Sequence, residues 1–117
     1  MKILVVEDDP VICREIEATF NCDCATDGWD AIEKLSTSDY AAIVIDADVP
    51  RHSGYGVLTY LREESGDALT NVIVMTSSDR DEMRKRVGSD LCVIDKCDAV
   101  GEISRLVRSE PAESLPR

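Results

Sequence analysis

A chain of 117 residues can build one domain with a real core but not two ordinary ones. Hydrophobic residues at 44% and charged residues at 32% exclude a disordered chain, and no apolar run approaches the length of a membrane span. The 24 acids against 13 bases leave a net charge of −11, which argues against direct nucleic-acid binding.

Met1-Lys2 leads at once into the apolar run Ile3–Val6 and three acids, too short and acidic for a secretory signal, so a cytoplasmic location is expected. Ile3–Val6 is unbroken rather than alternating, as expected of a strand covered on both faces. Glu7-Asp8-Asp9 follows it, and Asp9-Pro10 makes a helix start with proline at the first helical position. Ile12, Ile16, Thr19 and Phe20 lay an apolar stripe along that helix. After a short interval comes a weaker strand, Cys22–Ala25, whose two cysteines share one face. Trp29, Ile32 and Leu35 mark a second helix beyond Gly28.

Ala41–Ile45 is the next apolar run and closes on Asp46-Ala47-Asp48. Val57, Leu58 and Leu61 mark a third helix, with Gly66 near its end. The strand Val72–Met75 leads into Thr76-Ser77-Ser78. Met83 and Val87 mark a short fourth helix bounded by Gly88, with Arg84-Lys85-Arg86 as its solvated face. Leu91–Ile94 is the fifth strand, and Val100, Ile103, Leu106 and Val107 define the fifth helix. Residues 1–108 thus form the domain, and SEPAESLPR at 109–117 reads as a flexible tail or the start of a linker.

Strand and helix alternate five times, which specifies a doubly wound α/β fold: a five-stranded parallel sheet with helices on both faces. The five cysteines, an odd number, read as reduced thiols and mostly as small buried residues. A zinc site at Cys22 and Cys24 would need further ligands, and the only histidine is His52.

In a parallel sheet every strand C-terminus lies along one edge, where ligands bind. That edge receives Glu7, Asp8 and Asp9, then Asp46 and Asp48, then Thr76, Ser77 and Ser78, then Lys96. Singly these are ordinary turn and cap residues, and Asp9 fits the cap before Pro10. Together, carboxylates so close must take up protons or share a hard divalent cation, most simply Mg²⁺. A carboxylate beside such an ion can attack phosphorus, with a lysine and a hydroxyl neutralising the transferred group.

At this point the chain resembles the receiver domain of two-component response regulators, a CheY-like family. The resemblance rests on KILVVEDDP, TDGWDAIEKL, VIDADVPRHSGYG, VIVMTS and VIDKC, in that order from residue 2 to about 108. It implies a flavodoxin-like strand order of 2-1-3-4-5. It also implies that Asp46 accepts a phosphoryl group from a histidine kinase or phosphotransfer protein. Mg²⁺ or Mn²⁺ would be held by Asp8, Asp46 and the Asp48 backbone carbonyl, with Glu7 acting through water. Thr76 becomes the switch hydroxyl with Ser77 beside it, Lys96 the conserved-type lysine, and Asp48 and Ser78 the positions that tune dephosphorylation. The output would run through the face of the fourth helix, fifth strand and fifth helix, to a downstream protein or a second copy. No enzymatic turnover beyond self-phosphorylation and slow autodephosphorylation is implied, and no membrane contact.

Three departures stand out. The interval before the second strand is short, which threatens to stunt that strand. Val93 replaces the family's switch aromatic, and Lys96-Cys97 replaces a Lys-Pro pair joined by a cis bond, so either the strain is held or the bond is trans. These departures keep open a degenerate receiver serving only as a binding or dimerisation module. The Asp46-Ala47-Asp48 triplet also resembles the Asp-x-Asp of haloacid-dehalogenase-type phosphohydrolases.

Overall fold

The structure is a computed structural model that describes residues 2–47, 54–65, 71–88 and 91–108. Asp48, Pro50, His52, Gly66, the side chain of Val107 and the tail 109–117 lie outside the described residues. Strands and helices alternate along the chain: β1 (Ile3–Val6), α1 (Pro10–Thr19), β2 (Cys22–Ala25), α2 (Gly28–Thr37), β3 (Ala42–Asp46), α3 (Gly54–Ser65), β4 (Val72–Thr76), α4 (Arg80–Val87), β5 (Cys92–Asp95) and α5 (Ala99–Arg108). A short 3₁₀ turn, Lys96–Asp98, joins β5 to α5. The five strands are parallel and ordered β2-β1-β3-β4-β5.

Because strand side chains alternate between faces, the unbroken apolar runs feed two cores. Leu4, Val6, Ile43, Ile45, Val72 and Val74 pack under α2, α3 and α4, against Ala31, Leu58 and Met83. Ile3, Val5, Val44, Ile73 and Met75 pack on the other face under α1 and α5, against Ile16 and Ile103. Both faces being covered is what allows the three central strands to run unbroken apolar up to their last residues.

Acidic caps start α1, α2 and α4. Asp9 accepts from the Val11 amide at 2.9 Å, with Pro10 in the first turn. Asp27 accepts from the Asp30 amide at 2.9 Å, while Asp30 accepts from the Thr26 amide at 3.3 Å, an arrangement close to a capping box. Asp79 accepts from two amides of α4, those of Asp81 and Glu82, at 2.8 and 3.1 Å. α4 ends at Gly88, whose φ of 116° suits glycine.

Three expectations change. Trp29 is not on the buried stripe of α2 but is 63% exposed, because small Gly28 and Ala31 let that face of the helix approach the sheet. Thr19 is likewise exposed. Of the five cysteines only Cys13 is buried; Cys22, Cys24 and Cys92 are half-buried and Cys97 is exposed. The short interval does not stunt β2, since all four of its residues pair with β1 and the Ile3 amide bonds Asn21 O at 3.0 Å.

Candidate functional site

The sheet order reverses at β1. From there the chain first builds β2 on one side and then crosses to β3 on the other, so a crevice opens beyond the ends of β1 and β3. Glu7 follows β1 directly and Asp46 is the last residue of β3, and the register Val6↔Ile45 sets them side by side. Both are fully buried, whereas Asp8 is exposed. One carboxylate oxygen from each of Glu7, Asp8 and Asp46 lies within 4.8 Å of the other two.

Lys96, in the first position after β5, crosses to this cluster. Its Nζ donates to Asp46 Oδ2 at 2.7 Å and stands 3.4 Å from Glu7 Oε2. Burial works to lower the Lys96 pKa, but the hydrogen bond to Asp46 and the charges of Asp46 and Glu7 outweigh it and hold the ammonium above its ordinary value. The Asp9 amide donates to Glu7 Oε1 at 3.1 Å, but buried Glu7 Oε2 accepts no hydrogen bond. Burial, then the hydrogen bond shared with Asp46, push the Glu7 carboxyl up to about 8, against the pull of the Asp9 amide and Lys96. Glu7 therefore holds its proton more tightly than an ordinary glutamate does.

Thr76 ends β4 beside Asp46 and is fully buried; its Oγ1 accepts from the Ser78 amide at 3.0 Å. That bond does not use the hydroxyl hydrogen. The Ala47 amide bonds Met75 O at 2.9 Å, which continues the β3–β4 pairing past the strand and fixes the two ends relative to one another. Ser77 and Ser78 are exposed at the rim. Val93 is buried in the core under α4. No cis peptide bond occurs among the described residues, so Lys96–Cys97 is trans and Lys96 reaches the acids all the same. Asp48 cannot be placed, lying outside the described residues.

Sequence reasoning missed two groups. Arg80 at the start of α4 pairs with Asp95 of β5 at 3.6 Å and with buried Glu102 of α5 at 3.3 Å, tying three elements together. A charged residue inside the apolar stripe of the fifth helix is the signal that could have found it. Cys13, read from sequence only as one of the small buried cysteines, is the other: its thiol donates to Glu7 O at 3.5 Å.

Residues 3–95 match the family model of the response regulator receiver domain. The chain belongs to that family. This receiver is 32% identical over 116 residues to the transcriptional activator protein IrlR of Burkholderia pseudomallei, covering 91% of the chain and 48% of that protein. The chain thus spans about half the length of that relative. Among solved structures, TrrA of Thermotoga maritima, a response regulator in complex with Mg²⁺ and BeF, aligns with a TM-score of 0.69 at 24% identity, over 92% of this chain and 96% of that one. The receiver domain of the sensor histidine kinase PA1611 of Pseudomonas aeruginosa, with a magnesium ion in its active-site cleft, aligns at 0.75 and 24% identity, over 92% of this chain and 93% of that one. The fold is thus the CheY-like one, and the protein is a signalling receiver rather than a hydrolase of the Asp-x-Asp kind. Among the described residues no helix is long and apolar enough to cross a membrane.

Proposed function

We propose that Asp46 is the phosphoacceptor of this receiver, loaded from a phosphohistidine on a kinase or phosphotransfer protein. The observation that carries this reading is the joining of Glu7, Asp8 and Asp46 within 4.8 Å, with Lys96 on Asp46 at 2.7 Å, at the point where the sheet order reverses. The orphaned oxygen of Glu7 and the all-oxygen donor set fit a hard divalent cation. Asp8 and Asp46 would hold it directly and Glu7 through water, with the Asp48 backbone carbonyl added from the family resemblance. Bound there, Mg²⁺ or Mn²⁺ supplies charge neutralisation to the transferring group.

The chain's own residues do the rest. An Asp46 carboxylate oxygen forms the new bond to phosphorus while the donor nitrogen departs. Lys96 shifts from the carboxylate toward the phosphoryl oxygens, and Thr76 donates its hydroxyl hydrogen to another of them. Ser77 and Ser78, exposed beside Thr76, govern water access and hence the lifetime of the acyl phosphate, and the family resemblance adds Asp48 as a further tuning position. Val93 and Cys97, standing where an aromatic and a proline stand in the family, leave the readout to other residues of the α4–β5–α5 face, where a downstream protein or second copy would dock. Output from this −11 domain then runs through protein contacts, not its own DNA binding.

Mg²⁺ with beryllofluoride tests the site. Changes in amide chemical shifts should centre on residues 7–9, 46, 76 and 96 and extend to α4 and β5. Their absence at saturating Mg²⁺ would favour a degenerate module that binds without phosphorylation.

A further inference from the structure

The half-buried cysteines of β2 lie apart from the acidic cleft, and they are not simply core. β2 is the edge strand, and Cys22 and Cys24, two residues apart, both turn to the face that α1 covers, against the cluster of Ile3, Val5 and Ile16. Across that seam α1 presents Cys13 and Glu17, one helical turn apart and hence on one side of the helix. The Cys22 and Cys24 sulfurs and a Glu17 carboxylate oxygen lie within 4.8 Å of one another. Cys13, one turn before Glu17 on α1, is buried.

We propose that Cys22, Cys24 and Glu17 form a second cation site, on the α1–β2 seam, that takes a thiophilic divalent ion such as Zn²⁺. Two sulfurs and one oxygen within 4.8 Å of one another can close, by small side-chain shifts, to three corners of a tetrahedron with bond lengths near 2.3 Å to sulfur and about 2.0–2.2 Å to oxygen. Water fills the fourth corner, since Glu17 is exposed and the edge strand leaves an entry path. The soft donors select against Mg²⁺, so the two sites of this chain sort cations by chemistry: hard oxygen in the cleft, sulfur at the seam. Cys13 is a positioning residue. Its thiol donates to the Glu7 carbonyl at 3.5 Å, so the helix that carries Glu17 at the seam also touches the cleft.

Binding is balanced by proton release: each ligating thiol gives its proton to water as the sulfur–metal bond forms. The competing use of paired thiols is a disulfide, and Cys13, Cys22 and Cys24 are all free.

The reduced full chain should be titrated with Co²⁺ in an Asp8→Asn, Asp46→Asn background, which removes the acidic cleft as a rival. One equivalent should produce a thiolate-to-cobalt charge-transfer band with intense tetrahedral visible bands, and Zn²⁺ should abolish both. Cys22→Ser, Cys24→Ser should lose the band while circular dichroism shows the fold intact. Glu17→Gln, an exposed change with little risk to folding, should weaken binding while keeping the charge-transfer band at saturation. No charge-transfer band, a band that survives in the double serine variant, or an unchanged affinity in Glu17→Gln would each overturn the site.

Discussion

Glu7 shows what burial does to a single residue. It has no exposed surface, and its folded pKa of about 8 stands above the 4.5 of an unperturbed glutamate. The folded state therefore holds this proton more tightly than the unfolded chain. Its contribution to stability is full below pH 4.5 and is lost as pH rises to about 8. Thermal unfolding of the cation-free protein should show that loss, on the order of a few kcal/mol, across this window. Glu7→Gln, which keeps the shape and cannot ionise, should flatten the dependence; an equal decline in the variant would show the proton to be elsewhere. The residue types at the sheet edge were legible from sequence, since Asp46, Thr76 and Lys96 each close an apolar run. Which acid of Glu7 and Asp8 goes inside was not legible. That depends on where the β1 pairing ends, and the Glu7 amide still bonds Ala25 O at 2.9 Å, so the sheet carries Glu7 inward before the chain turns.

At eight residues α4 is the shortest of the α-helices. Only Met83 and Val87 are buried along its eight residues, so its N-terminal cap carries an unusual share of its stability. Asp79→Ala removes the acceptor for two amides and should cost about 0.5–2 kcal/mol, read as a lower urea midpoint with unchanged slope. If the midpoint does not move, the cap is not what holds the helix start. Arg80, next in the chain, joins α4 to Asp95 and Glu102. The Asp95 contact is exposed and adds little, whereas Glu102 is buried and also pairs with Arg105. Arg80→Ala should therefore destabilise by about 0.5–1.5 kcal/mol, and combining it with Glu102→Gln should cost less than the sum of the two. Additive losses would mean that the two side chains do not act together. Helix periodicity located α2 and rightly set Leu35 against the core, but it failed for Trp29, which is exposed. A stripe of large apolar residues at 29, 32 and 35 is the obvious pattern, yet Gly28 and Ala31 decide the packing by being small, a signal that hydrophobicity alone does not carry.

On the scale of the molecule, the alternation of five strands and five helices was enough to specify the parallel sheet, because right-handed crossovers leave few other arrangements. The strand order then brings together residues 7, 46, 76 and 96, distant in sequence, at one edge. What the alternation could not supply was contact between side chains on different elements. The gathering of Cys13, Glu17, Cys22 and Cys24 across α1 and β2, and the bridge from Arg80 to Glu102, depend on helix rotation about its own axis, which no single stretch encodes. The same holds for Lys96: its lysine was legible, but its 2.7 Å approach to Asp46 from a trans Lys96–Cys97 linkage was not.

The central claim is that Asp46 takes the phosphoryl group. Intact-mass spectrometry of the chain incubated with acetyl phosphate and Mg²⁺ tests it most directly. The account predicts a single phosphoryl adduct that requires Mg²⁺, is removed by hydroxylamine as an acyl phosphate must be, and is absent from Asp46→Asn. An adduct of the same yield in Asp46→Asn, or none in the parent chain at saturating donor and Mg²⁺, would contradict it.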